Sequence, residues 1–216
     1  MKAIRVFLMA ALAASLAAPV LADWPQWDLM ERDNYHAVGK PEDAFEYFKA
    51  DPVDIDDNDE GLNRQLNRCI AACVQMILNE QDLYVSQNLV IDQVWGDLNT
   101  NSYSDGWVRK HLNNWKPEKG VKVKASRKVI RASRIVADLH HDGPLMVGLE
   151  DPTFKRKNHA YVLLQVRFEN DYHNNPVPRK VVLMNPWPYG EEKRVEMSWY
   201  DFENSVRWAT RLRVVR

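Results

Sequence analysis

The sequence predicts an α+β fold: a helical first half packed on a mostly antiparallel sheet drawn from the second half. Three observations carry that prediction. Up to Gly143 the apolar residues recur at helical spacing, behind serine caps and ahead of a Gly-Pro stop. From Leu145 onward they alternate or run in short β-branched blocks, as strands do. Helices followed by strands, rather than interleaved with them, favour an antiparallel sheet over a parallel one.

The elements follow in order. Met1 to Ala22 reads as a secretory signal peptide: Lys2 and Arg5 form a basic start, Phe7 to Leu16 an apolar run, and Val20-Leu21-Ala22 a small-residue end suited to cleavage. The run is short for a membrane span, and no later stretch is apolar enough for one. A soluble, exported protein is expected, periplasmic or secreted, with no membrane contact after cleavage. Residues 23–62 form a polar, acidic arm, with one short helix expected over Pro41 to Phe48. These residues read as a surface arm. Asp54, Asp56 and Asn58 fall at the first ligand positions of a calcium loop. Asp59 stands where that loop needs glycine, and Gln65 where it needs a bidentate Glu, so a solvated acidic loop is expected.

The domain proper is assigned to residues 63–216. An apolar helix containing Cys69 comes first. A second is capped by Ser86 and buries Leu89, Ile91, Val94, Trp95 and Leu98; a third is capped by Ser104 and buries Trp107, Val108, Leu112 and Trp115. Val121 to Lys124 alternates as a short strand. A fourth helix, apolar at Ala132, Ile135, Val136 and Leu139, ends at Gly143-Pro144. Strands follow at Leu145 to Leu149, Ala160 to Phe168, Lys180 to Met184, Arg194 to Met197 and about Val206 to Val214.

Composition excludes several functions. The chain holds 29 basic and 30 acidic residues, and without Lys2 and Arg5 the balance becomes −3. That is no footprint for nucleic acid. The two cysteines, Cys69 and Cys73, stand four apart, so a long-range disulfide is impossible and only a strained local bridge could form. His140-His141-Asp142 lacks further ligands nearby in sequence and ends a helix, where histidines suit the dipole; no metal and no cofactor is expected.

Cys69 opens an apolar stretch reaching Leu78, with hydrophobic residues nearly all round; such a helix is buried. With Asn67 as N-cap, Cys69 would lie in the first turn, where unpaired N–H groups and the helix dipole favour a thiolate. A thiol also needs a base. His159 begins one strand, Asn185 follows the next, and the polar stretch between them suits a hairpin. In an antiparallel hairpin the start of one strand lies beside the end of the other, so His159 and Asn185 should be neighbours. An Asn oxygen accepting Nδ1–H would leave Nε2 to face the thiol.

These stretches resemble the papain-like superfamily, in particular its bacterial branch of bacteriocin leader-processing peptidases and papain-like effector proteases. The resemblance runs through Cys69-x-Ala71-Ala72, then Gly143 to Leu149, His159-Ala160-Tyr161-Val162-Leu163 and Asn185-Pro186-Trp187, in the family's order of Cys, His and Asn or Asp. It implies a papain-like fold with a buried nucleophile helix and a cysteine peptidase acting on a protein or peptide substrate. Cys69 would be the nucleophile, His159 the base, Asn185 the orienting residue and Gln65 the oxyanion donor, helped by the Cys69 backbone N–H. Gln65 lies four residues ahead of the cysteine, where the family leaves five or six, and Ile70 replaces the usual Trp or Gly. The same triad also fits a transglutaminase-like or cell-wall amidase or endopeptidase. The departures fit a catalytically inactive papain-like binding domain.

Overall fold

The computed structural model describes residues 36–40, 62–96, 104–150, 159–186 and 193–216. Its elements are β1 (His36–Gly39), α1 (Leu62–Asn79), α2 (Gln87–Trp95), α3 (Asp105–Leu112), β2 (Lys122–Lys128), α4 (Ala132–Asp142), β3 (Leu145–Leu149), β4 (His159–Asn170), β5 (Pro176–Met184), β6 (Arg194–Ser198), α5 (Trp199–Ser205) and β7 (Val206–Val215). The expected helix at Pro41 to Phe48, the acidic loop at 54–61 and the signal peptide lie outside the described residues.

The strands make one sheet in the order β2-β7-β3-β4-β5-β6, and every pairing is antiparallel. The α+β class therefore stands. β4 is the central strand. β3 covers its first part, from His159 to Leu163, and β1 covers Gln165 to Phe168 farther along, with β5 on the opposite side.

Period-two alternation then sorts the side chains into two apolar layers. Ala160, Val162 and Leu164 of β4 face a layer built with α1, α2 and α3, which also takes Met146, Val182, Met184 and Leu212. Tyr161 and Leu163 face the opposite layer, with Val147, Leu183, Ile135, Val136 and Leu139 of α4, and Phe202 of α5. The β4–β5 register shifts between Leu163 and Gln165, and beyond that bulge Val166 and Phe168 join the α4 side. Helices thus cover both faces, because α4 crosses to the side α1 leaves open.

Local chemistry explains the boundaries. Ser86 and Ser104 cap α2 and α3 as expected, their hydroxyls accepting from Leu89 N at 3.2 Å and Trp107 N at 3.1 Å. Each such cap contributes about 1 kcal/mol. α4 stops at Gly143, whose φ of 71° is costly for any residue with a Cβ. Leu89, expected inside, is 42% exposed, and Gln87 takes its buried place by bonding Gln75.

Three expectations need correction. β1 lies inside the stretch assigned to the arm, so the domain's sheet recruits residues well before Asn63. Gly39 makes this possible. Its φ is +117°, and a Cβ there would lie 2.9 Å from Leu139 Cδ2 and closer still to the Leu164 carbonyl. α1 starts at Leu62, not after Asn67. α5 had no counterpart among the expected elements; Ser198 caps it by accepting from Asp201 N at 3.0 Å.

Candidate active site

His159 is the first residue of β4, and Asn185 immediately follows the last residue of β5. The hairpin joining them turns at Asp171, whose carboxylate accepts from the backbone N–H groups of His173 and Asn175. Those bonds hold the Asp171 carboxyl below its ordinary pKa. Antiparallel register then brings Val162 opposite Met184, which carries Asn185 to the His159 end of the sheet.

The two side chains meet. Nε2 of His159 donates to Oδ1 of Asn185 at 2.9 Å, and both residues are buried, at 5% and 4% exposure. An amide oxygen only accepts, so the proton on this bond belongs to Nε2. The nitrogen that can take a proton from a thiol is then Nδ1. This reverses the expected arrangement, in which Asn185 held Nδ1. The adjacency follows from strand pairing, whereas the choice of nitrogen follows from the ring's rotamer, which strand pairing leaves open. The His159 ring also stands edge-on to the ring of Tyr161, with centroids 4.7 Å apart and planes at 89°.

Cys69 occupies the α1 layer at 1% exposure, in the same apolar cluster as Ala160, next to His159 in sequence. It lies seven residues inside α1 rather than in the first turn. The Cys69 N–H is therefore committed to the helical ladder, accepted four residues back at Gln65. It is not the oxyanion donor that a first-turn position would supply. Gln65 lies on α1 one turn before Cys69, and its side chain is outside the described residues. Strand alternation adds a geometric condition. His159 shares the Tyr161 face of β4, while Cys69 packs on the Ala160 face, so thiol and imidazole can meet only around the end of the sheet.

Cys73, one turn beyond Cys69, is also a buried free thiol. Burial pushes its pKa well up, and the neighbouring charge of Cys69 adds to the shift. A thiol so placed stays protonated and unreactive. No disulfide joins the pair.

His140 and His141 pack edge to face at the end of α4, with ring centroids 5.0 Å apart. Asp142 beside them is taken by cations: Arg211 at 2.5 Å, Arg213 at 3.7 Å, and Lys128. Among the described residues, no three His, Cys, Asp or Glu side chains are grouped to hold a metal. No described helix is long and apolar enough to cross a membrane.

The site thus has the elements of a thiol–imidazole–amide constellation, with the imidazole–amide pair formed. No family model matches the sequence, and no curated protein is similar to it. A solved structure with a similar chain trace is the peptidase domain of Streptococcus ComA, a bi-functional ABC transporter involved in a quorum-sensing pathway. It is 15% identical, with a TM-score of 0.47, and the match covers 78% of this chain and 98% of that one.

Proposed function

We propose that this chain is an exported cysteine peptidase in which Cys69, His159 and Asn185 form the catalytic triad. The observation that carries the reading is the buried His159–Asn185 hydrogen bond at the end of β4. A histidine whose far nitrogen is held by an amide oxygen has the tautomer and orientation of a general base.

Element geometry supports bringing Cys69 to the same end. Lys40 bonds the Leu164 carbonyl through its N–H and pairs with Glu80, which continues the last turn of α1. Gln81 bonds the Leu212 carbonyl, so the C-terminal end of α1 is fixed beside the middle of the sheet. α1 also touches β3, which lies wholly on the His159 side of Leu164, so α1 extends in that direction. From Glu80 back to Cys69 is about 16 Å at helical rise, and from Leu164 back to His159 is about 16 Å at strand rise. An α1 running alongside β4 would set the two residues level.

The reaction follows. The Cys69 thiol gives its proton to His159 Nδ1, and the thiolate attacks the peptide carbonyl. Imidazolium returns the proton to the departing amine, leaving a thioester on Cys69. Water then attacks, losing its proton to Nδ1, and the acid is released with the thiol restored. Asn185 keeps Nε2–H in place throughout. Gln65 is the proposed oxyanion donor.

The test is alkylation of the reduced protein by iodoacetamide against pH, mapped by mass spectrometry with Cys73 as internal control. Fast labelling of Cys69 well below the ordinary thiol pKa, abolished by His159→Ala, is the expected result. Labelling no faster than at Cys73 refutes the reading. A second reading, an inactive papain-like domain used for binding, draws support from the depth of Cys69 within α1 and its 1% exposure. It predicts slow labelling, and a loss of stability in Cys69→Ser, which places a hydroxyl in the apolar cluster.

A further inference from the structure

Val123, Ala125 and Leu212 point into the α1-side layer. Strand alternation therefore turns Lys122, Lys124, Ser126, Lys128, Arg211 and Arg213 to the other side of β2 and β7. α4 packs on β1, β4 and β5 on that side, and meets these cations through Asp138 and Asp142. Asp142 is shared by Lys128, Arg211 at 2.5 Å and Arg213 at 3.7 Å, and Asp138 reaches Lys128 at 3.5 Å. Lys122 and Lys124 have no carboxylate partner among the described residues, and the Lys124 ammonium donates to the Asn114 amide oxygen at 3.3 Å. Lys124 also stands directly opposite Arg213, a like-charge pairing that costs stability. Desolvation, then the charges of Lys124 and Lys116, hold the Lys122 pKa below its ordinary value. Positive charge at this corner of the sheet is in excess.

Lysines commonly guard the open edge of a sheet. That explanation falls short here, because Arg213 lies on an inner strand and the β2 edge is already bonded. The Asn114 N–H donates to the Val123 carbonyl, and the Val123 N–H to the Trp115 carbonyl, both at 2.8 Å. We infer that this face docks an extended acidic peptide segment, with a carboxylate at every second residue, on Lys122, Lys124 and Arg213. Lys122 and Lys124 are two residues apart on one strand, about 7 Å, which is also the interval between alternate side chains of an extended peptide. A peptide laid along β2 thus sets one carboxylate at each lysine, with Arg213 beside the second. A single-stranded nucleic acid would need aromatic rings on which to stack its bases. The exposed aromatic residues described, Tyr84, Tyr172 and Tyr200, belong to other elements, and Trp208 packs on the α1 side. The face is remote from the proposed reaction. Arg211 is level with Leu145 and Leu163, so Arg213 lies about 20 Å along the strands from His159, on the side opposite Cys69. The inference therefore does not rest on the peptidase reading.

The test is an NMR titration of the full chain at low ionic strength, following backbone amide shifts. The probes are an Asp-Thr repeat peptide, its Asn-Thr counterpart, and an isomer of the first with all its aspartates in one block. The Asp-Thr repeat should shift amides at Lys122, Lys124 and Arg213, and added salt should reverse the shifts. The Asn-Thr peptide should shift nothing, and the block isomer should bind several-fold more weakly. Lys124→Ser and Arg213→Ser should each weaken binding by up to about fivefold, the range of exposed charge pairs. Arg179→Ser, which removes a half-exposed cation on β5, should leave it unchanged. The shift map of the native chain decides the matter even if a variant does not fold. No shift with the Asp-Thr repeat, equal affinity for the block isomer, or shifts centred on Arg179 would each overturn the inference. So would tighter binding of oligothymidylate or of phosphatidylglycerol vesicles than of the Asp-Thr repeat.

Discussion

Gly148 and Trp208 make a sharp test of packing near the site. Gly148 lies on β3, opposite Ala160 on one side and Trp208 on the other. A Cβ added at Gly148 would stand 2.6 Å from Cζ2 of the Trp208 indole and nearer still to Nε1 and Cε2. The indole therefore lies flat on the space where a side chain would be. Gly148→Ala must push it outward, and overpacking of this kind costs about 1–3 kcal/mol. Trp208→Ala removes a partly buried ring, costing less than the ~3–5 kcal/mol of a fully buried one. The informative quantity is their coupling. With the indole gone, the new methyl meets no obstacle, and alanine suits a strand better than glycine. Gly148→Ala should then be neutral or mildly stabilising in the Trp208→Ala background. The expected coupling is about 1–3 kcal/mol, far outside the additivity of distant sites. Urea denaturation of the four proteins measures it, and indole fluorescence reports displacement of the ring. An equal cost for Gly148→Ala in both backgrounds would refute the reasoning.

Further outcomes follow from the same structure. Asn185→Ala should cost about 1–3 kcal/mol in urea denaturation, because it strips the partner from Nε2–H of a buried imidazole. Ser86→Ala and Ser104→Ala should each cost about 1 kcal/mol, and Ser→Gly less, by loss of the helix caps. Cys73 predicts an alkaline effect. Its folded pKa is raised, so its contribution is fully present below the ordinary thiol pKa and is lost as pH rises beyond it, where the unfolded thiol ionises first. Stability measured from about pH 8 to 10 should therefore decline, and Cys73→Ala should flatten that decline.

Much of this was legible in the sequence for a stated reason. The His159–Asn185 contact follows from two apolar strands and a polar turn, since hairpin pairing alone brings their ends together. Ser86, Ser104 and Gly143 mark helix ends by chemistry that acts within one turn. What failed was what depended on longer context. Leu62 and Leu66 continue the spacing of Cys69, Cys73 and Ile77, so the helix begins earlier than Asn67, a good cap residue left in its interior. β1 is four residues, too few to show a period, and it forms because β4 runs on past the end of β3. His159 meets Asn185 through Nε2 and the Tyr161 ring edge-on, and no local pattern in the sequence records that rotamer.

The pairing of β1 has a consequence for how the chain is assembled. His36 pairs with Phe168, 132 residues later. On a chain delivered from its N-terminus, this strand emerges early and waits for nearly the whole domain before its partner exists. Once β4 has formed and until β1 docks, its Gln165–Phe168 stretch shows open backbone groups in the sheet, a template for any extended peptide. If the connection between Lys40 and Leu62 were cut, the described contacts holding β1 would be the ladder, the packing at Val38, the His36–Phe168 ring contact and the bonds of Lys40. It would then be a replaceable strand, one that a synthetic peptide of the same sequence could compete away.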